Sequence, residues 1–208
     1  MIPAVGPSGR RRIAVAVTGA SGAIYAARTI AALLEIGCDL ELVFSDYGKR
    51  LLLDELGPEA KVDRLRDLLT ARYGDGVARG TFVIHSNKDL GATLASGSHR
   101  CDAMVIVPCS MKSLAGIAHG LSRNLVERAA DVMLKERRPL IIVPRETPMS
   151  LPQLKNMVLC AEAGAMIMPA MPAFYQIPKT LDDLADFMAG KILSALGFEH
   201  ELYPAWNG

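Results

Sequence analysis

Apolar residues in this chain fall in short unbroken runs, separated by stretches with helical spacing. The runs at 13–17, 40–44, 82–85, 103–107, 140–143 and 165–168 are too short for helices and predict six strands. The intervening stretches 23–34, 47–56, 111–118, 125–136, 153–163 and 181–196 repeat apolar positions every three or four residues and predict six helices. Regular alternation of the two predicts a mainly parallel sheet covered on both faces. The runs 103–107 and 140–143 are apolar throughout, as central strands of such a sheet are. The charged, glycine-interrupted segment 57–80 reads as a peripheral excursion with a short helix at 62–71.

Ligands of open α/β sheets bind at the carboxyl ends of the strands. The residues following the predicted strands are therefore the informative ones: Thr18-Gly-Ala-Ser21, Ser45-Asp46, Pro108-Cys-Ser-Met-Lys-Ser113, Pro144-Arg-Glu-Thr-Pro148 and Pro169-Ala-Met-Pro-Ala-Phe-Tyr175. The first of these ends a strand in Gly19-Ala-Ser-Gly22 and runs straight into a helix. Free N–H groups and the positive dipole end at such a junction favour an anion. The spacing is not G-x-G-x-x-G, and Tyr25 stands where a third small residue is needed, so NAD(P) is disfavoured. Asp39 and Glu41 lie at the ribose distance but read as strand-flanking charges. Tyr175 and Lys179 match a Y-x-x-x-K pair, yet Pro178 forbids the helix that pair requires.

Composition narrows the choice little. A chain of 208 residues with 50% apolar and 22% charged residues is long enough for one domain with its own core. A net charge of +1 provides no field for nucleic acid or membrane. Residues 1–11 read as a flexible tail preceding a single domain at 12–208. Cys38, Cys101, Cys109 and Cys160 have no C-x-x-C spacing and sit in apolar runs, which suits reduced thiols in a cytoplasmic protein. His85, His99, His119 and His200 show no metal-ligand spacing and are given no role. No G-x-S-x-G element marks a hydrolase serine.

Several residues carry candidate chemistry. Ser110 and Ser113 open a helix and serve either as caps or as anion ligands; Ser21 and Ser45 share that duality. Arg128 and Lys135 lie seven residues apart on one helical stripe beside apolar positions, with Ser122 or Asn124 as the cap. They either snorkel and pair with Asp131 or bind an anion. Glu136-Arg-Arg138 reads as a solvated helix end. Arg145-Glu146 follows a buried strand, where an arginine can grip phosphate and a carboxylate can move a proton. Tyr175 is either a core filler or a phenol aimed at a ligand, and Lys191 flanks the apolar face of the last helix.

Together these motifs resemble the flavin prenyltransferase family (UbiX/Pad1-like). The matching pieces are Thr18-Gly-Ala-Ser-Gly-Ala-Ile-Tyr25, Ala95-Ser-Gly-Ser98, Val107-Pro-Cys-Ser-Met-Lys-Ser-Leu-Ala115, Arg128-Ala-Ala-Asp-Val132, Leu134-Lys-Glu-Arg-Arg-Pro-Leu140, Arg145-Glu-Thr-Pro148 and Pro172-Ala-Phe-Tyr175, with Trp206-Asn-Gly208 at the end. They follow the family order over nearly the whole chain.

The resemblance implies an α/β, Rossmann-like (flavodoxin-like/HFCD-type) three-layer fold that binds FMN without a metal. It implies transfer of a dimethylallyl group from dimethylallyl phosphate to N5 and C6 of reduced FMN, the product serving UbiD-type decarboxylases. By the same resemblance Gly19, Ala20, Ser21, Ser45, Ser110, Met111, Lys112, Ser113 and Arg145 hold the flavin. Arg128, Lys135, Tyr175 and Lys191 gather round the donor phosphate. Glu146 handles the proton, and Ser21 and Lys135 assist at the reacting centre. A homododecamer with sites at subunit contacts is expected. The chain departs from the pattern at Leu90, where some relatives carry an aromatic residue, and at Ser113, where threonine is frequent. Two other readings are an FMN carrier subunit and an FMN-dependent cysteine decarboxylase. The latter uses P-A-S-A-N-T and P-x-M-N segments, and this sequence has neither.

Overall fold

The computed structural model describes residues 9–204. Its six strands are β1 (Arg12–Val17), β2 (Asp39–Phe44), β3 (Thr81–Ser86), β4 (Ala103–Cys109), β5 (Leu140–Pro144) and β6 (Met166–Ile167). They form one sheet in the order β3-β2-β1-β4-β5-β6, and every neighbouring pair is parallel. The seven helices are α1 (Ala23–Ile36), α2 (Asp46–Leu56), α3 (Leu65–Tyr73), α4 (Met111–Ala118), α5 (Leu125–Lys135), α6 (Leu151–Glu162) and α7 (Leu181–Ala195).

Period-two alternation sends successive strand residues to opposite faces. Ile13, Val15 and Val17 pack with α1, α3 and α7, while Ala14, Ala16, Met104 and Ile106 pack with α4 and α5. β4 and β5 are buried at every position, as their uninterrupted apolar composition requires. The sheet grows outward in both directions from the β1/β4 pair. That switch point opens a crevice beyond the carboxyl ends of these two strands.

Element boundaries differ from the sequence expectation where local hydrogen bonding decides them. Helix α6 begins at Leu151, not residue 153, because Gln153 Oε1 accepts from the Ser150 N–H at 2.7 Å and fixes the first turn. Asn124, not Ser122, caps α5, its Oδ1 accepting from the Glu127 N–H at 3.0 Å. The segment 57–80 is less peripheral than its charge suggests: Ala60, Leu65, Leu69 and Val77 are fully buried in the α1-side core. The expected helix at 62–71 is a 3-10 turn, Val62–Arg64, followed by α3. The expected tail lies outside the described residues as far as residue 8. At its end Arg11 is fixed, donating to the Leu196 carbonyl at 2.7 Å with its guanidinium 4.2 Å over the Phe198 ring.

Candidate active site

The crevice is built from two turns stitched together by Thr18. This buried residue donates from both N–H and Oγ1 to the Pro108 carbonyl (3.2 and 3.0 Å), and its Oγ1 accepts from the Ser110 N–H at 2.7 Å. Ser110 caps α4 through its Oγ, which accepts from Ser113 N–H and donates to Ser113 Oγ. Ser45 caps α2, accepting from Gly48 N–H at 3.0 Å. Between these caps lies a recess of about 290 Å³ lined by Thr18, Gly19, Ser45, Ser110, Lys112 and Ser113, with Tyr47 and Val126 as less polar walls. It adjoins a second recess of about 430 Å³ that shares Asp46, Asn87 and Asn124 and carries Lys49, Lys88 and Arg123. Hydroxyls, cations and a partly apolar wall suit a planar, polar-rimmed, phosphorylated ligand such as FMN.

Not every expected flavin residue borders this recess. Met111 is turned into the core beside Leu114 and Ile117. Ala20 is buried beneath its turn. The α1 terminus also departs from expectation. Glu55 of α2 accepts from the Gly22 and Ala23 N–H groups at 2.9 and 2.7 Å, so a carboxylate of the chain itself holds the anion position at this dipole.

Ser21 and Arg145 do not line the recess either, but they meet each other. Arg145 Nε donates to the Ser21 carbonyl at 3.0 Å, joining the turn after β5 to the turn after β1. The next residue, Glu146, is half-buried, and its Oε1 accepts from the Thr147 N–H at 3.2 Å. Arg145 thus reaches the turn after β1, while Glu146 is bonded within its own loop, and neither side chain lines the recess.

The four expected phosphate ligands do not converge within one chain. Arg128 and Lys135 lie on α5, whose apolar face packs on the Ala14/Ala16 side of the sheet. Tyr175 stands edge-on to Phe187 of α7, with ring centroids 6.1 Å apart, and shares an open recess with Lys191. Phe187 belongs to the opposite, Ile13/Val15 side. The sheet therefore separates the two pairs. Arg128 Nη1 donates to Asp131 at 2.7 Å and its Nε to the Ala95 carbonyl at 3.1 Å, while Lys135 donates to Glu136 at 2.7 Å. Lys191 is exposed and does not reach inward.

Two further expectations are corrected by tertiary contacts. Glu41 is not a flanking charge but a buried carboxylate in mid-strand, and His85 and His99 both bind it. Arg138 does not merely end α5 in solvent; it donates to the His99 and Gly97 carbonyls at 2.8 and 2.7 Å. Tyr47, Asn87 and Glu127, which line the recess, carry no motif that would have marked them in the sequence. The four thiols are buried as expected. Burial pushes Cys38 and Cys160 up to about 11 and Cys101 to about 12, and raises Cys109 as well, so none is a ready thiolate. Among the described residues no helix is long and apolar enough to cross a membrane, and no group of three or more His, Cys, Asp or Glu is placed to hold a metal ion.

Known proteins share this architecture. The flavoprotein family model matches residues 3–192. The chain is 45% identical over 193 residues to the flavin prenyltransferase UbiX of Halalkalibacterium halodurans, covering 93% of this chain and 92% of that protein. The crystal structure of AnUbiX in complex with FMN and dimethylallyl pyrophosphate superposes with a TM-score of 0.85 at 38% identity, over 96% of this chain and 98% of that one. A dodecameric FMN-dependent UbiX-like decarboxylase from Escherichia coli O157:H7 gives 0.83 at 39% identity, over 95% of this chain and all of the other. With its parallel sheet and its hydroxyl-lined crevice at the β1/β4 switch point, the chain is a flavoprotein belonging to the flavin prenyltransferase UbiX family.

Proposed function

We propose that this protein attaches a dimethylallyl group to N5 and C6 of reduced FMN, releasing phosphate from dimethylallyl phosphate. Reduced FMN supplies the nucleophilic nitrogen and carbon. The observation that carries this reading is the Arg145–Ser21 contact, which ties the loop bearing Arg145 and Glu146 to the turn whose Thr18 and Gly19 line the recess.

Breaking the allylic C–O bond leaves positive charge on carbon and negative charge on phosphate. Arg128, Lys135, Lys191 and the Tyr175 hydroxyl stabilise the departing phosphate by direct charge and hydrogen bonding. Glu146 accepts the proton released at N5 and passes it to the phosphate; closure at C6 breaks the C6–H bond and consumes the allyl double bond, whose inner carbon gains one proton as C6 loses one. Gly19, Ser21, Ser45, Ser110, Lys112, Ser113 and Arg145 hold the flavin at the strand ends, with Ser21 nearest N5. Apolar lining excludes water from the allyl group.

Because the sheet separates Arg128/Lys135 from Tyr175/Lys191, one phosphate meets all four only where subunits adjoin. Exposed apolar surface supports such an assembly: Leu151, Leu154 and Val158 lie on one stripe of α6, and Met171, Phe174 and Ile177 project from the loop bearing Tyr175. We read the assembly as a homododecamer, like the neighbour from E. coli O157:H7. A UbiD-type decarboxylase is the recipient of the product, and the cytoplasm is the compartment that keeps four unpaired thiols reduced.

The test is anaerobic incubation with reduced FMN and dimethylallyl phosphate, followed by mass spectrometry of the released flavin. A flavin heavier by one C5 prenyl unit is expected. Unmodified FMN from both monophosphate and diphosphate donors, with tight flavin binding, would overturn the transferase reading in favour of a carrier.

A further inference from the structure

Glu41 lies in mid-sheet, opposite Ala14 of β1 and Val83 of β3, and strand alternation turns it to the α5 side. Its side chain is 7% exposed, so the carboxylate needs partners from the protein. Oε2 accepts from His85 Nε2 at 2.8 Å and from Thr93 Oγ1 at 3.4 Å; Oε1 accepts from His99 Nε2 at 2.5 Å; Arg12 Nε lies at 3.5 Å. A carboxylate only accepts, so both imidazoles carry hydrogen on Nε2. None of these residues lines the flavin recess.

What the cluster holds is the turn at 95–99. Within the turn His99 N–H donates to the Ser96 carbonyl at 3.2 Å, and the Ser96 and Ser98 hydroxyls are 2.8 Å apart. On its other side Arg138 grips the Gly97 and His99 carbonyls, and Arg128 grips that of Ala95. A Cβ added at Gly97 would stand 2.9 Å from Lys135 Nζ and would collide with Glu136 Oε1, so the turn lies directly against the lysine.

We infer that Glu41 and His99 are positioning residues for the donor end of the site. A carboxylate anchored in the sheet fixes the His99 imidazole, and through it the turn against which Arg128 and Lys135 are set. The inference rests on Arg128 and Lys135 being donor-phosphate ligands. It assigns work to a buried carboxylate and its half-buried imidazole partner that would otherwise contribute only to stability.

Two variants test it. His99→Phe keeps the bulk and loses the donor, while His99→Gln retains an N–H able to reach Glu41. His99→Phe is expected to raise KM for dimethylallyl phosphate ~10-fold while leaving FMN affinity and kcat within ~3-fold, and His99→Gln to restore most of the loss. Amide exchange at 96–99 should quicken ~10-fold in His99→Phe alone, without a change in α4. A His99→Phe protein with native KM and native exchange would overturn the inference. So would one that loses FMN binding and donor binding together, because that marks a purely structural role. If the unaltered protein transfers no prenyl group, the donor-site reading fails, and with it the positioning role. Exchange at 96–99 then still reports whether the clamp itself exists.

Discussion

Arg145 Nε and the Ser21 carbonyl oxygen are 3.0 Å apart although 124 residues separate them in the chain. This bond joins the loop after β5 to the turn after β1 and fixes a guanidinium beside that turn. Arg145→Met should leave the fold intact and weaken FMN binding by about 10-fold or more, as loss of a charge-assisted contact does. Flavin fluorescence titration measures it. Arg145→Lys should recover only part of the affinity, because an ammonium lacks the planar fork.

Glu146 is expected to act in proton transfer and not in binding. Glu146→Gln keeps the shape and removes the proton acceptor. It should spare FMN affinity and lower turnover by roughly 10²–10⁴-fold. Unchanged turnover, read by flavin mass after a fixed interval, would remove Glu146 from the mechanism.

Separation of Arg128/Lys135 from Tyr175/Lys191 by the sheet makes a prediction about mixed assemblies. Lys135→Met and Lys191→Met should each abolish most turnover when assembled alone. Co-expressed in one oligomer, they should regain a fraction of native activity, since some contacts then receive an intact lysine from each side. A mixed assembly as inactive as its parents would mean that each site draws both pairs from one chain.

Gly48 shows how tightly α2 is set against the strand that feeds the site. A Cβ there would collide with the Val17 carbonyl oxygen and stand 3.3 Å from Ser45 Oγ. Gly48→Ala should therefore cost about 1–3 kcal/mol, as overpacking does, and weaken flavin binding by shifting the Ser45 cap. Thermal unfolding with and without FMN separates the two effects.

Glu127 borders the recess and is almost fully buried. Burial alone would raise its carboxyl, but hydrogen bonds from Arg123 and the backbone outweigh that and hold it below the ordinary value of 4.5. Its contribution to stability is present above the unfolded value and is lost as pH falls through the lower folded one. Arg123→Ala should thus destabilise the protein at pH 7, because it takes from the buried Glu127 carboxylate its charged hydrogen-bond donor. The difference from the unaltered protein should shrink as pH falls below the ordinary value of 4.5. Denaturant melts across that range supply the comparison.

The sequence by itself determined the layers of this protein and the strand ends at which its recess opens. Runs such as 103–107 can be buried only in mid-sheet, and a strand followed by Gly-Ala-Ser-Gly can only turn into a helix at the crevice. These are local consequences of side-chain period and backbone freedom, and Thr18, Gly19, Ser45, Ser110, Lys112 and Ser113 were legible as recess-lining residues for that reason. Tertiary structure decided everything that depends on which distant groups meet. It turned Glu41 from a flanking charge into the buried partner of His85 and His99, because β2 came to lie between β1 and β3. It gave the α1 terminus to Glu55, sent Met111 into the core, and placed the four expected phosphate ligands on opposite sides of the sheet. Spacing along a chain encodes the face of an element on which a residue lies; which elements share that face is settled only when the sheet is assembled.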